Sequence, residues 1–142
     1  MRIPVFSDIA ALFARIALGV VLIAHGWQKF HDWGLSGTSA MFAKMGVPFP
    51  TFTAGLDMTL CFVCGVLFIV GALTPVAGVL IAIMMGSAWY FAHTGHGLIE
   101  KGGPEIVLLI MAASLAIAAH PGKLSIDGLL GARRKRLTTG EA

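Results

Sequence analysis

Residues 52–92, FTAGLDMTLCFVCGVLFIVGALTPVAGVLIAIMMGSAWYFA, decide the fold. A helix needs about 20 mainly apolar residues to cross roughly 30 Å of hydrocarbon, so this block is long enough for two crossings. Gly71-Ala-Leu-Thr-Pro75 divides it, because glycine weakens a helix and proline can open a helix but not continue one. One carboxylate, Asp57, interrupts the apolar character of the whole stretch.

Two further apolar blocks flank this one, Ile9 to Ala24 and Ile106 to Ala119. With 57% hydrophobic and 12% charged residues and a mean hydropathy of +0.87, a water-soluble domain of 142 residues could not bury its apolar surface. The reading is therefore all-α: a polytopic membrane protein whose residues 1–128 form a four-helix transmembrane bundle. The spans lie near residues 8–30, 51–71, 74–93 and 103–120, and residues 129–142 form a basic, mobile cytoplasmic tail. The last apolar stretch is the shortest, and a helix lying on the membrane surface is its alternative. No small-residue cleavage site follows the first apolar run, so that run is expected to stay as an anchor.

Orientation follows from Lys and Arg, which tend to remain on the cytoplasmic side of short loops. With both termini inside, Arg2, Arg15, Lys123, Arg133, Arg134, Lys135 and Arg136 are cytoplasmic, and Lys29, Lys44 and Lys101 are outside. Arg133 to Arg136, and Arg15 near the same boundary, are lipid-contact candidates. Arg15 alternatively bonds the carbonyl ends of neighbouring helices. This short basic run repeats what orientation already requires, so nucleic acid is not the expected partner. The one long connection, His31 to Pro50, holds a short helix around Thr38 to Met45 and two prolines that aim the chain into the second span. Trp27, Trp33, Trp89 and Tyr90 all fall near the outer boundary, where amphipathic rings settle.

The same outer end gathers most of the titratable chemistry: His25, Lys29, Asp57, His93, His96 and Glu105, with Glu100 and Lys101 in the adjoining loop. Arg15, Leu18, Leu22, His25 and Lys29 follow a 3,4,3,4 stripe. Asp57, Cys61, Cys64 and Phe68 follow 4,3,4, and Trp89, His93 and His96 follow 4,3, so each stripe can face the bundle interior. Asp57 lies about 10 Å inside its span. A carboxylate there either pairs with Lys29 or a histidine to fix packing, or serves a ligand or a proton. The histidines with Asp57 or Glu105 are a donor set acceptable to a transition metal, and a hydrogen-bond network is the competing reading. Cys61 and Cys64 look like a redox pair, yet they sit too deep for a helix terminus to activate them, which leaves buried packing thiols as the alternative.

Ala14-Arg15-Ile-Ala-Leu-Gly19, His25-Gly-Trp-Gln-Lys29, Met45-Gly-Val-Pro48, Gly55-Leu-Asp57, Gly65 to Gly71, Thr74-Pro75 and His120-Pro-Gly-Lys-Leu-Ser-Ile-Asp127 occur in that order. In order and spacing they resemble the DoxX family of membrane proteins, from Ala10 to about Leu130. The resemblance implies a four-helix bundle in the bacterial inner membrane, related to subunits associated with quinone reduction and thiosulfate oxidation, some members being linked to thiol and superoxide defence. Family members often carry Glu where this chain has Asp57, and the Cys61 and Cys64 pair is not part of the family's pattern.

Three functions follow as expectations. The first is a redox-associated subunit with a polar pocket at the outer end, where a quinone, ahead of a metal, is the fitting ligand. The second is a non-catalytic accessory or assembly subunit that packs into a larger membrane complex or a homo-oligomer through small residues such as Gly65, Gly71, Gly78 and Gly86. The third, a small-solute carrier, has no broken-helix pair to mark its site.

Overall fold

A computed structural model describes residues 4–99 and 101–139. Arg2 and Glu100, both weighed above, lie outside the described residues. Helix α1 runs Pro4–Gln28, continues through a π-helical segment Lys29–Trp33, and gives way to α2, Gly34–Lys44. Helix α3 is Pro50–Val70, and α4 is Thr74–Ala88 with its own π segment Trp89–His93. Helix α5 is Glu105–Ala119, and α6 is Ile126–Thr139. The protein is all-helical, as its hydropathy requires. The runs Val5–Lys44, Pro50–Val70 and Thr74–His93 are long and apolar enough to span a membrane, and α5 is a shorter apolar helix. At about 1.5 Å per residue, α5 falls short of the full hydrocarbon thickness.

The distribution of exposure is that of a protein made for lipid. Phe13, Phe52 and Leu109 are 74%, 71% and 69% exposed, whereas Arg15, Thr74 and Ser114 are 1%, 0% and 0% exposed. Apolar side chains turn outward because hydrocarbon solvates them, so the helices need close packing and polar contacts to hold together. Two antiparallel pairs supply this packing.

Helices α1 and α3 meet at glycines. A Cβ on Gly19 would stand 2.5 Å from the Gly65 carbonyl oxygen, and one on Gly65 would stand 2.9 Å from that of Gly19. Two turns further along α1, a Cβ on Gly26 would be 3.0 Å from Cys61 Cβ. Helices α4 and α5 repeat the device, where a Cβ on Gly78 would lie 2.5 Å from the Ser114 carbonyl oxygen and 2.6 Å from Ala118 Cβ. Leu22, Phe68, Ile81 and Ile117 fill the space between the pairs. Gly86, by contrast, has nothing within 4 Å of its missing side chain.

The tight links follow from local backbone chemistry. Gly71 ends α3 at φ 72°, a left-handed conformation that an L side chain resists, and Pro75 sits in the first turn of α4. Gly34, at φ 65° and ψ 178°, turns the chain out of the first span so that α2 can pack along the start of α3. There Ser39 Oγ meets Thr51 Oγ1 at 2.9 Å. The residues read from the sequence as a tail continue α6 to Thr139. Its first turn is capped by Ser125, whose Oγ accepts the Gly128 N–H at 2.9 Å.

The α1–α3 contact has no room for a methyl group, so Gly19→Val should lower the midpoint of thermal unfolding in detergent sharply, by about 3 kcal/mol or more in stability. Gly86→Ala should be neutral or stabilising by up to about 1 kcal/mol. Equal melting of Gly19→Val and the wild-type protein would contradict this packing.

Candidate functional site

The spacing of Lys29 and Asp57 on the antiparallel α1–α3 pair brings them face to face. Asp57 is 8% exposed, and Lys29 Nζ donates to its Oδ2 in an ion pair between the two spans. Asp57 thus has its counter-charge within the chain, as the cost of a bare carboxylate in hydrocarbon requires. The π segment that begins at Lys29 carries the backbone into the Gly34 turn. There Thr38, wholly buried, donates from Oγ1 to the Gly34 carbonyl at 2.9 Å and lies 3.5 Å from that of Lys29. Helix α2 therefore lies against the ion pair's own turn. Sequence reading passed over Thr38, because a lone threonine in a polar loop carries no pattern.

The histidines are placed differently. His25 is exposed, with Nδ1 2.9 Å from the carbonyl of Val21 one turn back on its own helix. His93 Nδ1 lies 2.6 Å from the Gly102 carbonyl, which ties the end of α4's π segment to the loop before α5. The 4,3 spacing of Trp89, His93 and His96 presumed α-helical geometry. The turn is π-helical and the backbone becomes extended at Thr94, so exposed His96 does not share a helical face with the other two. Glu105 stands in the first turn of α5. Its Oε2 is enclosed and has no hydrogen-bond partner among the described residues. Among the described residues, no three of His, Cys, Asp and Glu are arranged to hold a metal ion.

Cys61 and Cys64 are free thiols, each 1% exposed. Cys61 packs against Gly26 on the α1–α3 seam, and Cys64 belongs to the apolar core. A cleft lies between α2 and α3, lined by Leu35, Ser36, Ser39, Ala40, Ala43 and Thr51, and neither Lys29 nor Asp57 lines it. Trp27, Trp33, Trp89 and Tyr90 ring the Lys29–Asp57 end of the bundle, all exposed.

A second polar constellation closes the opposite end, where the α3–α4 link meets the segment before α6. Arg15 is 1% exposed, inside the bundle, and its Nη2 donates to the Leu124 carbonyl. Its guanidinium fills the space beside Gly71 that any side chain at that position would occupy. Nε and Nη1 are enclosed without a partner among the described residues. Asp127 sits alongside and completes the start of α4. Its Oδ1 accepts the Leu73 N–H at 2.9 Å, and its Oδ2 accepts the Thr74 N–H at 2.8 Å and Thr74 Oγ1–H at 2.7 Å. The Asp127 N–H in turn donates to the Gly71 carbonyl at 2.9 Å. Burial pushes the Asp127 carboxyl up, but these hydrogen bonds and the nearby Arg15 charge outweigh it and hold the group below its ordinary value. Leu73 sits at φ 50°, a strained conformation for a bulky residue, and the carboxylate bond to its N–H helps to hold it there. In the sequence Asp127 stands out only as part of a motif, although Thr-Pro at a helix start with no acid nearby signals a cap supplied from elsewhere in the chain.

The DoxX family model matches residues 10–94, which include the α1–α3 seam, the Lys29–Asp57 pair and all of α4. The chain belongs to the DoxX family. It is 32% identical over 110 residues to the protein named "Putative oxidoreductase CatD" of Bacillus subtilis, covering 78% of this chain and 79% of that one. It is 39% identical over 74 residues to an uncharacterized membrane protein of Mycobacterium tuberculosis, covering 52% of this chain and 45% of that one. No solved structure matches it. As a DoxX-family member with several apolar helices, the protein is a multi-pass membrane protein whose spans contact lipid.

Two outcomes follow from these polar contacts. Lys29→Met leaves Asp57 charged and unpaired between helices and should cost about 3–5 kcal/mol, whereas Lys29→Met with Asp57→Leu should recover much of that loss in thermal unfolding. Additive losses would show that the pair is not coupled. Because Asp127 has a lowered folded-state value, its stabilisation is fully present above the unfolded carboxyl pKa, roughly 4. It disappears as pH falls through the lower folded value. Asp127→Asn should therefore be less stable than wild type at neutral pH, with the difference shrinking as the solution is acidified through that window.

Proposed function

We propose that this DoxX-family protein is a redox-associated subunit of the bacterial inner membrane. In this reading the Lys29–Asp57 pair handles protons for a quinone headgroup bound at the α2 end. The observation that carries the proposal is the ion pair itself, a carboxylate and an ammonium in contact between two spans. Reducing a quinone to a quinol takes up two electrons and two protons. The proton relay would be Asp57 and Lys29, with His25 or His93 nearer the surface, and the electrons come from a partner redox protein of the same membrane complex. The exposed aromatic ring at this end and the apolar helix faces below it suit a headgroup with an isoprenoid tail. Support for redox work also comes from the relative whose printed name is an oxidoreductase.

The accessory reading has its own observation: three of the polar contacts at this end are already made within the chain. His25 meets the Val21 carbonyl, His93 that of Gly102, and Lys29 meets Asp57. In that reading the pair is a structural lock, and the protein contributes packing to a homo-oligomer or a larger complex. The seven-to-three division of basic residues supports a topology with both termini in the cytoplasm in either case.

The two readings part on Asp57→Asn, which keeps the shape and a polar contact for Lys29 but removes the exchangeable charge. In membranes containing the native complex, quinone reduction should fall by about 10²- to 10⁴-fold if Asp57 transfers protons. A variant that folds, assembles and supports wild-type turnover would remove Asp57 from the chemistry and leave the accessory function.

A further inference from the structure

Helix α6 begins where two spans end. Its first turn is fastened by Asp127 to Leu73 and Thr74 at the start of α4, and by the Asp127 N–H to Gly71 at the end of α3. The segment before it is held by Lys123 N–H to Asp8 Oδ1 at 3.0 Å, and by the Leu124 carbonyl to Arg15. These bonds place the helix start at the level of the bilayer boundary, because α3 and α4 leave the hydrocarbon there. Beyond this turn, residues 129–138 are all exposed.

Around α6 the four large apolar side chains share one side with three arginines, and the opposite side carries Gly128, Gly131, Ala132, Lys135 and Thr138. At about 100° per residue, Ile126, Leu129, Leu130 and Leu137 fall within an arc of about 100°. They are 43%, 67%, 58% and 78% exposed. Asp127, which faces the bundle, lies off this arc, and among the described residues Leu129, Leu130 and Leu137 stay more than half exposed. Arg134 and Arg136 stand on its two edges, and Arg133 lies within it. Long cationic side chains flanking an apolar strip can lay their methylenes along the hydrocarbon edge and extend the guanidinium groups to phosphates. Water leaves the strip unburied, whereas a bilayer surface satisfies both the strip and its arginine border.

We infer that α6 is an interfacial helix. Its Ile126, Leu129, Leu130 and Leu137 strip inserts at the headgroup boundary of the same bilayer that holds the bundle, and Arg133, Arg134 and Arg136 bind the phosphates of anionic lipids. The clamp from Asp127 to the α4 start makes the helix a fixed extension of the bundle, so its membrane contact bears on α4 directly. The inference stands independently of any redox role.

The test uses the full chain with Leu137→Cys carrying an environment-sensitive fluorophore; Cys61 and Cys64 are buried, and labelled wild type gives the background. The protein is placed in lipid nanodiscs of phosphatidylcholine alone or with phosphatidylglycerol. The expected result is blue-shifted emission and protection from iodide quenching in the anionic discs. Arg134→Glu with Arg136→Glu should reduce the inserted fraction relative to the free one by roughly 25-fold or more, at about a fivefold loss for each basic residue removed. A label that stays water-exposed in anionic discs overturns the inference, as does insertion that is indifferent to the charge reversal. The first result would leave α6 as a surface for a soluble protein. An Asp127→Asn variant labelled at the same site separates the clamp from the lipid contact: it should loosen the α4 start while leaving insertion in place.

Discussion

The close approach of α1 and α3 is the constraint on which the rest of the structure depends. In hydrocarbon, two apolar helices gain little by touching, since lipid chains solvate them equally well. Their association must come from backbone-to-backbone contact and polar pairs. The seam supplies both, with Gly19 against Gly65 and Gly26 against Cys61 in its middle, Lys29 with Asp57 at one end and Arg15 beside Gly71 at the other. The glycines set the distance, and the charged ends set the register. A slide of one turn along the seam would separate Lys29 from Asp57 and carry Arg15 away from the space that Gly71 leaves open. The cost of an unpaired charge in the bilayer makes such a slide unfavourable.

Each end of the seam recruits the next part of the chain. At one end the π segment after Lys29 leads into the Gly34 turn, and Thr38 binds α2 back against it. At the other, Arg15 reaches the Leu124 carbonyl while Asp127 caps α4, so the segment after α5 ties the α1–α3 pair to the α4–α5 pair. Asp127 is therefore the counterpart of Asp57. Both are carboxylates near a buried cation, but Asp57 neutralises a side chain whereas Asp127 mainly satisfies backbone N–H groups. The difference bears on chemistry. A carboxylate already holding three donors has little freedom to exchange a proton, which makes Asp57 the better candidate for proton transfer.

The fold was legible because hydropathy is a strong signal and because Gly71 and Pro75 punctuate it unambiguously. The Lys29–Asp57 contact was legible as one of two readings of Asp57, since helix lengths alone place both groups at one level. The seam itself was not. Where every helix face is apolar, hydrophobic periodicity no longer distinguishes inside from outside, and glycine, which marks the actual contact line, has no hydrophobic signature. The stripe through Arg15, Leu18 and Leu22 is buried, yet His25 on the same stripe is exposed, because the contact line runs through Gly19 and Gly26. The histidines were misaligned for a second reason: π-helical turns change the angle per residue, and no spacing rule based on α-helices anticipates them.

That both π segments lie at the same end, one starting at Lys29 and the other ending at His93, bears on what this end can do. π turns are rare, appear mostly as single irregular turns within α-helices, and are frequent at functional sites. A purely structural lock would gain from regular α-helix through Lys29, since regularity would hold the ammonium more rigidly against Asp57. The irregular turn instead sets the cation on the least regular backbone of its span while its partner sits on an unbroken helix. This asymmetry suits a pair that separates and re-forms. In the proposed relay such a pair would pass a proton outward, and the partner that keeps its geometry would be the accepting carboxylate.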